Sequence, residues 1–225
     1  MSLILNIDTS GAVASISIGS DGTQLGIKEN GAQSEHASFL QPAIKSMLEQ
    51  LKININDLDA VAVVHGPGSY TGLRVGLASA KGICYALSKP LITIGTLPLM
   101  AHAAHAHLNR ENKLIPLLCP MIDARRQEVF TALYSGDLET ILPPHAHILF
   151  NDSFVATLLQ NKILFFGNGA VKFEAGCMHA NAMFASHYDH SASLCMLSNE
   201  AFLKKNFTAL AYSEPLYVKE FYSGK

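Results

Sequence analysis

Several short stretches of this chain carry residue types that could do chemistry. The longest is His65-Gly66-Pro67-Gly68-Ser69-Tyr70-Thr71-Gly72-Leu73-Arg74-Val75-Gly76, set between an apolar β-branched run ending at Val64 and a small-residue helical pattern from Leu73 to Leu87. Strand, glycine-rich turn and helix is an order in which a backbone presents N–H groups to an anion, so Gly66 and Gly68 are candidates for a phosphate cradle. No Gly-Lys-Ser/Thr follows at the spacing of a Walker A loop, and Gly66, Gly68 and Gly72 do not fit G-x-G-x-x-G. Glycine also serves a tight turn and a close helix contact, and on the residues alone both readings stay open. The second stretch is Asp8-Thr9-Ser10, at the end of the first apolar run. A carboxylate with two hydroxyls suits a nucleotide phosphate and its magnesium, and it equally suits an Asx turn.

Other candidates are weaker. His102 and His105 share one helical face, but His107 points elsewhere and no third ligand is evident, so a solvated helix face is the expectation. Asp123-Ala124-Arg125-Arg126-Gln127-Glu128 reads as a charged turn, either a recognition loop or a surface ion-pair cluster. Nothing resembles a nucleophile elbow. Cys84, Cys119, Cys177 and Cys195 show no CxxC pairing, which points to inert, reduced thiols and a cytoplasmic setting.

The elements that must position these residues follow from periodicity. Leu3–Ile7, Ala12–Ile18 and Gln24–Glu29 read as a three-strand meander. From Ser34, a plausible N-cap, apolar residues recur at three and four through Leu51, giving a helix with a kink expected at Pro42. A strand over 59–65, a helix through Leu87 and a strand over 90–94 complete the order β-β-β-α-β-α-β. That order fits a mixed sheet with packed helices, as in the ribonuclease H-like or actin-like ATPase core. Beyond residue 96 the pattern predicts a helix over 97–108, strands over 114–122 and 127–134, and a break at Pro143-Pro144. A short helix over 153–159, a strand over 163–166 before Gly167-Asn168-Gly169, a helix over 198–205 and a late strand over 216–219 follow. The division expected is a first subdomain, 1–100, and a reduced α/β subdomain, 101–225, whose last residues return to the first. No internal repeat is visible.

With 16 basic against 18 acidic residues and no basic stripe, the chain is not expected to grip nucleic acid by itself; a partner would hold it. No apolar run approaches the ~20 residues that cross a bilayer, and the amino terminus reads as a strand rather than a signal peptide. One further pattern needs a cause. Gly72, Gly76 and Ala80 repeat at four with Gly82 nearby, and a glycine inside a helix costs about 0.8–1 kcal/mol against alanine. Close approach of another backbone, within the chain or on a partner helix, would offset that cost.

Together these residues resemble the TsaB (YeaZ) family. The resemblance runs through Ile7-Asp8-Thr9-Ser10, His36 with Leu40-Gln41-Pro42, Gly66 to Gly76 and on through Ala80-Lys81-Gly82. It continues in Met121-Ile122-Asp123-Ala124-Arg125 to Val129, in Gly167-Asn168-Gly169 and in Pro215-Leu216-Tyr217. The glycine motif is shared in part with the catalytic paralogue TsaD. TsaD-like proteins follow the fifth strand with a metal-holding histidine run, where this chain has Ile94-Gly95-Thr96-Leu97-Pro98-Leu99-Met100. The resemblance therefore implies a pseudo-enzyme with an α/β, actin-like ATPase (ASKHA, ribonuclease H-like) fold of two subdomains, the second degenerate. Its implied task is to bind TsaD, with TsaE, while TsaD transfers threonylcarbamoyl to adenosine 37 of ANN-decoding tRNAs. It implies a heterodimer through helices one and two, a homodimer in isolation, tRNA contact only through the complex, and no membrane. The contact residues expected are His36, Phe39, Leu40, Leu73, Leu77 and Lys81. Asp8, Thr9, Ser10, Gly66 and Gly68 would be a relic nucleotide or anion site, with no catalytic residue, no metal and no intrinsic cofactor, ATP or ADP entering only in the complex. The rival readings are a metallopeptidase-like protein and a small-molecule kinase of the same superfamily.

Overall fold

The computed structural model describes residues 1–31 and 35–219, and two five-stranded mixed sheets organise them. In the first sheet β1 (Leu3–Asp8), β2 (Ala14–Ser20) and β3 (Thr23–Asn30) form the antiparallel meander. β4 (Ala60–Gly66) and β5 (Leu91–Gly95) add in parallel beside β1, giving the order β3-β2-β1-β4-β5. Helices α1 (His36–Leu51) and α2 (Tyr70–Leu87) lie in the connections, and α3 (Thr96–Arg110) follows β5.

The β4 run is apolar without alternation because both of its faces are covered. Val61 and Val63 join Leu5, Ile7, Ile16 and Ile18 in a core roofed by α1 and α2. Ala60 and Ala62 face the other way with Ile4 and Ile92, and Val64 meets Leu194. That second face is closed by α6 (Ser191–Leu203), whose Ala201 and Phe202 pack on it.

In the second sheet β6 (Leu117–Asp123), β7 (Glu128–Tyr134) and β8 (Thr140–Ile148) make another antiparallel meander, and β9 (Ile163–Phe166) and β10 (Ala182–Ala185) add in parallel. Its order, β8-β7-β6-β9-β10, repeats the order and strand directions of the first sheet. Helices α4 (Val155–Leu158) and α5 (Ala170–Glu174) take the places of α1 and α2, at 4 and 5 residues against 16 and 18. The architecture is the α/β, actin-like ATPase fold. The second half is reduced in its helices and keeps its whole sheet.

Some expectations change. The compact units are Met1–Leu99 with His190–Leu216, and Met100–Asp189 with the residues from Tyr217. The segment around α6 thus belongs with the first sheet, because its apolar residues fill that sheet's second face. The helix expected over 198–205 starts at Ser191, and 216–219 forms no strand. Pro143 and Pro144 do not break the chain but lie within β8. β8 is an edge strand, where a missing N–H need not cost a ladder bond, and its register shifts beside the prolines. β10 and α5 were not foreseen. Ser34 lies outside the described residues; α1 begins at His36 after Glu35 and runs through Pro42 as one helix.

Candidate functional site

The carboxyl end of β1 and the amino end of α2 meet in the first unit, and this brings Asp8, Thr9, Ser10, Gly66 and Gly68 together. Asp8 Oδ1 accepts from the Ser10 N–H at 2.8 Å and the Ser10 hydroxyl at 2.7 Å. Asp8 Oδ2 lies 2.8 Å from Nε2 of His190, the residue before α6. Burial pushes the Asp8 carboxyl up, but the His190 hydrogen bond and charge, with the two Ser10 bonds, outweigh it and hold the carboxyl below its ordinary value.

The turn is pressed directly on α2. Ser69 N–H donates to the Ser10 carbonyl at 2.7 Å, and Thr9 Oγ1 donates to the Gly72 carbonyl at 2.7 Å. A Cβ on Gly68 would stand 2.4 Å from Ser10 O, one on Gly72 2.0 Å from Thr9 O, and one on Gly76 2.2 Å from Thr9 Oγ1. Gly68 and Gly72 are therefore accounted for by one protein backbone lying on another, and Gly76 by the Thr9 side chain. Gly66, at φ +125°, is covered by Leu216 O, 2.6 Å from where its Cβ would be. Ser69 caps α2 through its hydroxyl, which accepts from the Gly72 N–H at 3.4 Å. A chain carbonyl thus takes a bond that an anion would compete for at this helix start.

The contact residues expected from the sequence need correction. Leu40, Leu73 and Leu77 are 0%, 1% and 4% exposed; Leu40 and Leu77 belong to the core between the helices and the first sheet, and Leu73 lies against Gly66. His36 is buried and its Nε2 lies 3.2 Å from the Gly11 carbonyl, which ties α1 to the β1–β2 turn. Phe39 is half-buried against the same core. Lys81 Nζ donates to the carbonyls of Ser213 at 3.1 Å and Ala211 at 3.4 Å, so it binds the chain's own returning segment. The outward face of α2 consists instead of Tyr70, Thr71, Arg74, Ala78, Gly82, Tyr85 and Ala86. Arg74 stacks over the Tyr70 ring at 3.9 Å, and Tyr85 is 82% exposed. A Cβ on Gly82 would meet nothing within 4 Å.

The second unit holds a counterpart of the Asp8 turn. Asp123 ends β6 as Asp8 ends β1, and its Oδ1 accepts from the Arg125 N–H at 2.6 Å and from Lys172 Nζ at 2.7 Å. Burial raises the Asp123 carboxyl, and the Lys172 and Arg125 contacts outweigh it, leaving the carboxyl below its ordinary value. Gly167 and Gly169 approach the backbone of Met121 to Asp123 as Gly68 and Gly72 approach that of Thr9 and Ser10. His190 and Lys172 were missed in the sequence. Nothing near His190 announces its role, whereas Lys172 closely follows the Gly167-Asn168-Gly169 signal.

Among the described residues no three His, Cys, Asp or Glu side chains converge to hold a metal. His107 instead pairs with Glu111 at 3.3 Å. The four cysteines are unpaired, and burial pushes the Cys84 and Cys119 thiols up to about 11 and about 12. No helix among the described residues is long and apolar enough to cross a membrane.

Comparison with known proteins gives these residues a family. The model of the TsaD family, tRNA N6-adenosine threonylcarbamoyltransferase, matches residues 15–154. The tRNA threonylcarbamoyladenosine biosynthesis protein TsaB of Bacillus subtilis is 33% identical over 143 residues, 62% of this chain and 59% of that protein. TsaB of Escherichia coli is 34% identical over 134 residues, 60% of this chain and 55% of that protein. The chain thus spans between half and three fifths of these two curated relatives. A solved structure of YeaZ from Pseudomonas aeruginosa superposes with a TM-score of 0.76 at 23% identity, over 96% of this chain and 100% of that one. A second, described as similar to peptidase YEAZ from Pseudomonas aeruginosa, gives 0.80 at 22% identity over 97% and 100%. At such identities the superpositions establish the fold. Because the family model covers well over half of its residues, the chain belongs to the TsaD-type threonylcarbamoyltransferase family, and the curated relatives named above are TsaB proteins.

Proposed function

We propose that this chain is a non-catalytic subunit in the synthesis of threonylcarbamoyladenosine on tRNA, and that it binds a TsaD-type transferase through the outward faces of α1 and α2. The observation that carries the reading is Gly82. A glycine in an exposed helix interior costs about 0.8–1 kcal/mol, and unlike Gly76 it has no contact within the chain that requires it. A partner helix crossing at Ala78, Gly82 and Ala86 supplies the reason, because small residues let helix axes approach to about 8 Å. Tyr70, Arg74 and Tyr85 flank the crossing with the residue types that dominate interface energies.

The Asp8 carboxylate is bound on both oxygens within the chain, which supports a subunit that takes no nucleotide of its own. ATP or ADP then enters with the transferase and a TsaE-type ATPase, in the cytoplasm, and tRNA is held mainly by the partners. In isolation the same α2 face pairs with a second copy. The test is reconstitution with the TsaD-type and TsaE-type proteins of the same source. Modification of unmodified tRNA should depend on this chain, which alone should turn over no ATP. ATP turnover with a phosphorylated small-molecule product, or peptidase activity with stoichiometric metal, would overturn the reading.

A further inference from the structure

The β6–β7 hairpin holds an arrangement that helix docking leaves unused. Arg125 (φ 69°) and Arg126 (φ 50°) are the one adjacent pair of non-glycine residues with positive φ among the described residues. Hairpin tips with left-handed backbone favour Asn, Asp and Gly, so two arginines there oppose the local preference. Their conformation is nevertheless fixed. Arg125 N–H donates to Asp123 Oδ1, Ala124 N–H to Glu128 O at 3.0 Å, and Asp123 N–H to Asn168 Oδ1 at 2.9 Å.

The acidic groups of the hairpin are already neutralised. Lys172 pairs with Asp123 at 2.7 Å and Lys219 with Glu128 at 2.5 Å. Both arginines are exposed, and neither forms an ion pair among the described residues. The tip therefore projects two guanidinium groups from a pinned backbone, in addition to the two lysines that pair with its carboxylates. Next to it a cavity of about 500 Å³ is lined by Gln127, Asn151 and Lys172 among others. Guanidinium forks bind phosphate bidentately. The tip, Ala124 to Gln127, has no aromatic or large aliphatic anchor of the kind a protein partner would need.

We propose that this hairpin is an RNA contact, with Arg125 and Arg126 each binding a phosphodiester of the tRNA backbone. The inference rests on the function proposed above and adds a nucleic-acid surface to it. Two charges are too few to hold RNA alone, which agrees with a chain of net charge −2 that acts inside a complex.

The test is the double variant Arg125→Asn/Arg126→Gly, whose new residues suit left-handed backbone. In the complex reconstituted with the TsaD-type partner, its affinity for unmodified tRNA should fall ~10–100-fold and the salt slope of binding should drop by about one per arginine. Its thermal unfolding temperature should hold or rise, and its affinity for the partner protein should stay the same. Unchanged tRNA affinity and salt slope, with the wild-type complex binding tRNA, would overturn the inference and leave the proposed function standing. Loss of partner affinity in place of tRNA affinity would also overturn it, by assigning the hairpin to a protein contact. A wild-type chain that fails to assemble with the partner would overturn the proposed function and this inference together.

Discussion

The Asp8 turn and the Asp123 turn occupy the same place in two copies of one strand order, and they are built differently. Both aspartates end the first strand of a sheet and accept the N–H two residues on. In the first unit the turn is sealed: Asp8 is 3% exposed, His190 and Ser10 occupy its oxygens, and an 18-residue helix is locked beneath it. In the second unit the matching helix has 5 residues, the partner is a lysine, and the turn opens outward with two arginines. The difference teaches that one strand order can carry a turn sealed against a long helix and a turn left open to solvent.

The comparison breaks most sharply at the glycines. Gly72→Ala would force a Cβ to within 2.0 Å of the Thr9 carbonyl, a backbone atom that cannot yield without separating β1 from α2. A loss of more than ~4 kcal/mol in denaturant titration is expected. The counterpart Gly169→Ala meets its nearest atoms at 2.9 Å, one of them the Val129 side chain, and should cost about 1–3 kcal/mol. Equal losses would show that the two turns are packed alike.

Removing the carboxylates should separate the turns next. Asp8→Ala breaks a buried pair and is expected to cost about 3–5 kcal/mol. Asp123→Ala breaks a pair whose carboxylate is 40% exposed and should cost under about 1 kcal/mol. The acid response follows with a smaller effect. Asp8 lies below its ordinary value in the folded chain, so its stabilisation is fully present above the unfolded value of about 3.9 and is lost as pH falls through the folded one. Asp8→Asn should therefore flatten the acid limb of stability below about pH 4 more than Asp123→Asn does.

The first sheet was legible because its strands alternate or run apolar over useful lengths and its turns are marked by glycine. The duplication was not, since strand order and direction are shared without shared residues, and α4 and α5 are too short to show a helical period. Asp8, Gly68 and Gly72 were found from motif alone, with a phosphate cradle and a close backbone contact both left open. The positions of the Thr9 and Ser10 carbonyls show protein backbone lying against Gly68 and Gly72. The leucines expected at a contact surface, Leu73 and Leu77, are as apolar as an anchor must be, but they are buried within the chain. His190 was invisible because its partner lies 182 residues away in the sequence.

The most direct measurement is calorimetric titration of the TsaD-type partner into Gly82→Arg beside the wild type. Gly82 has open space around its Cβ position, so the variant should keep the wild-type unfolding temperature while its affinity drops at least ~100-fold, as for a charge forced into an interface core. A folded Gly82→Arg that binds the partner as tightly as the wild type would contradict the account.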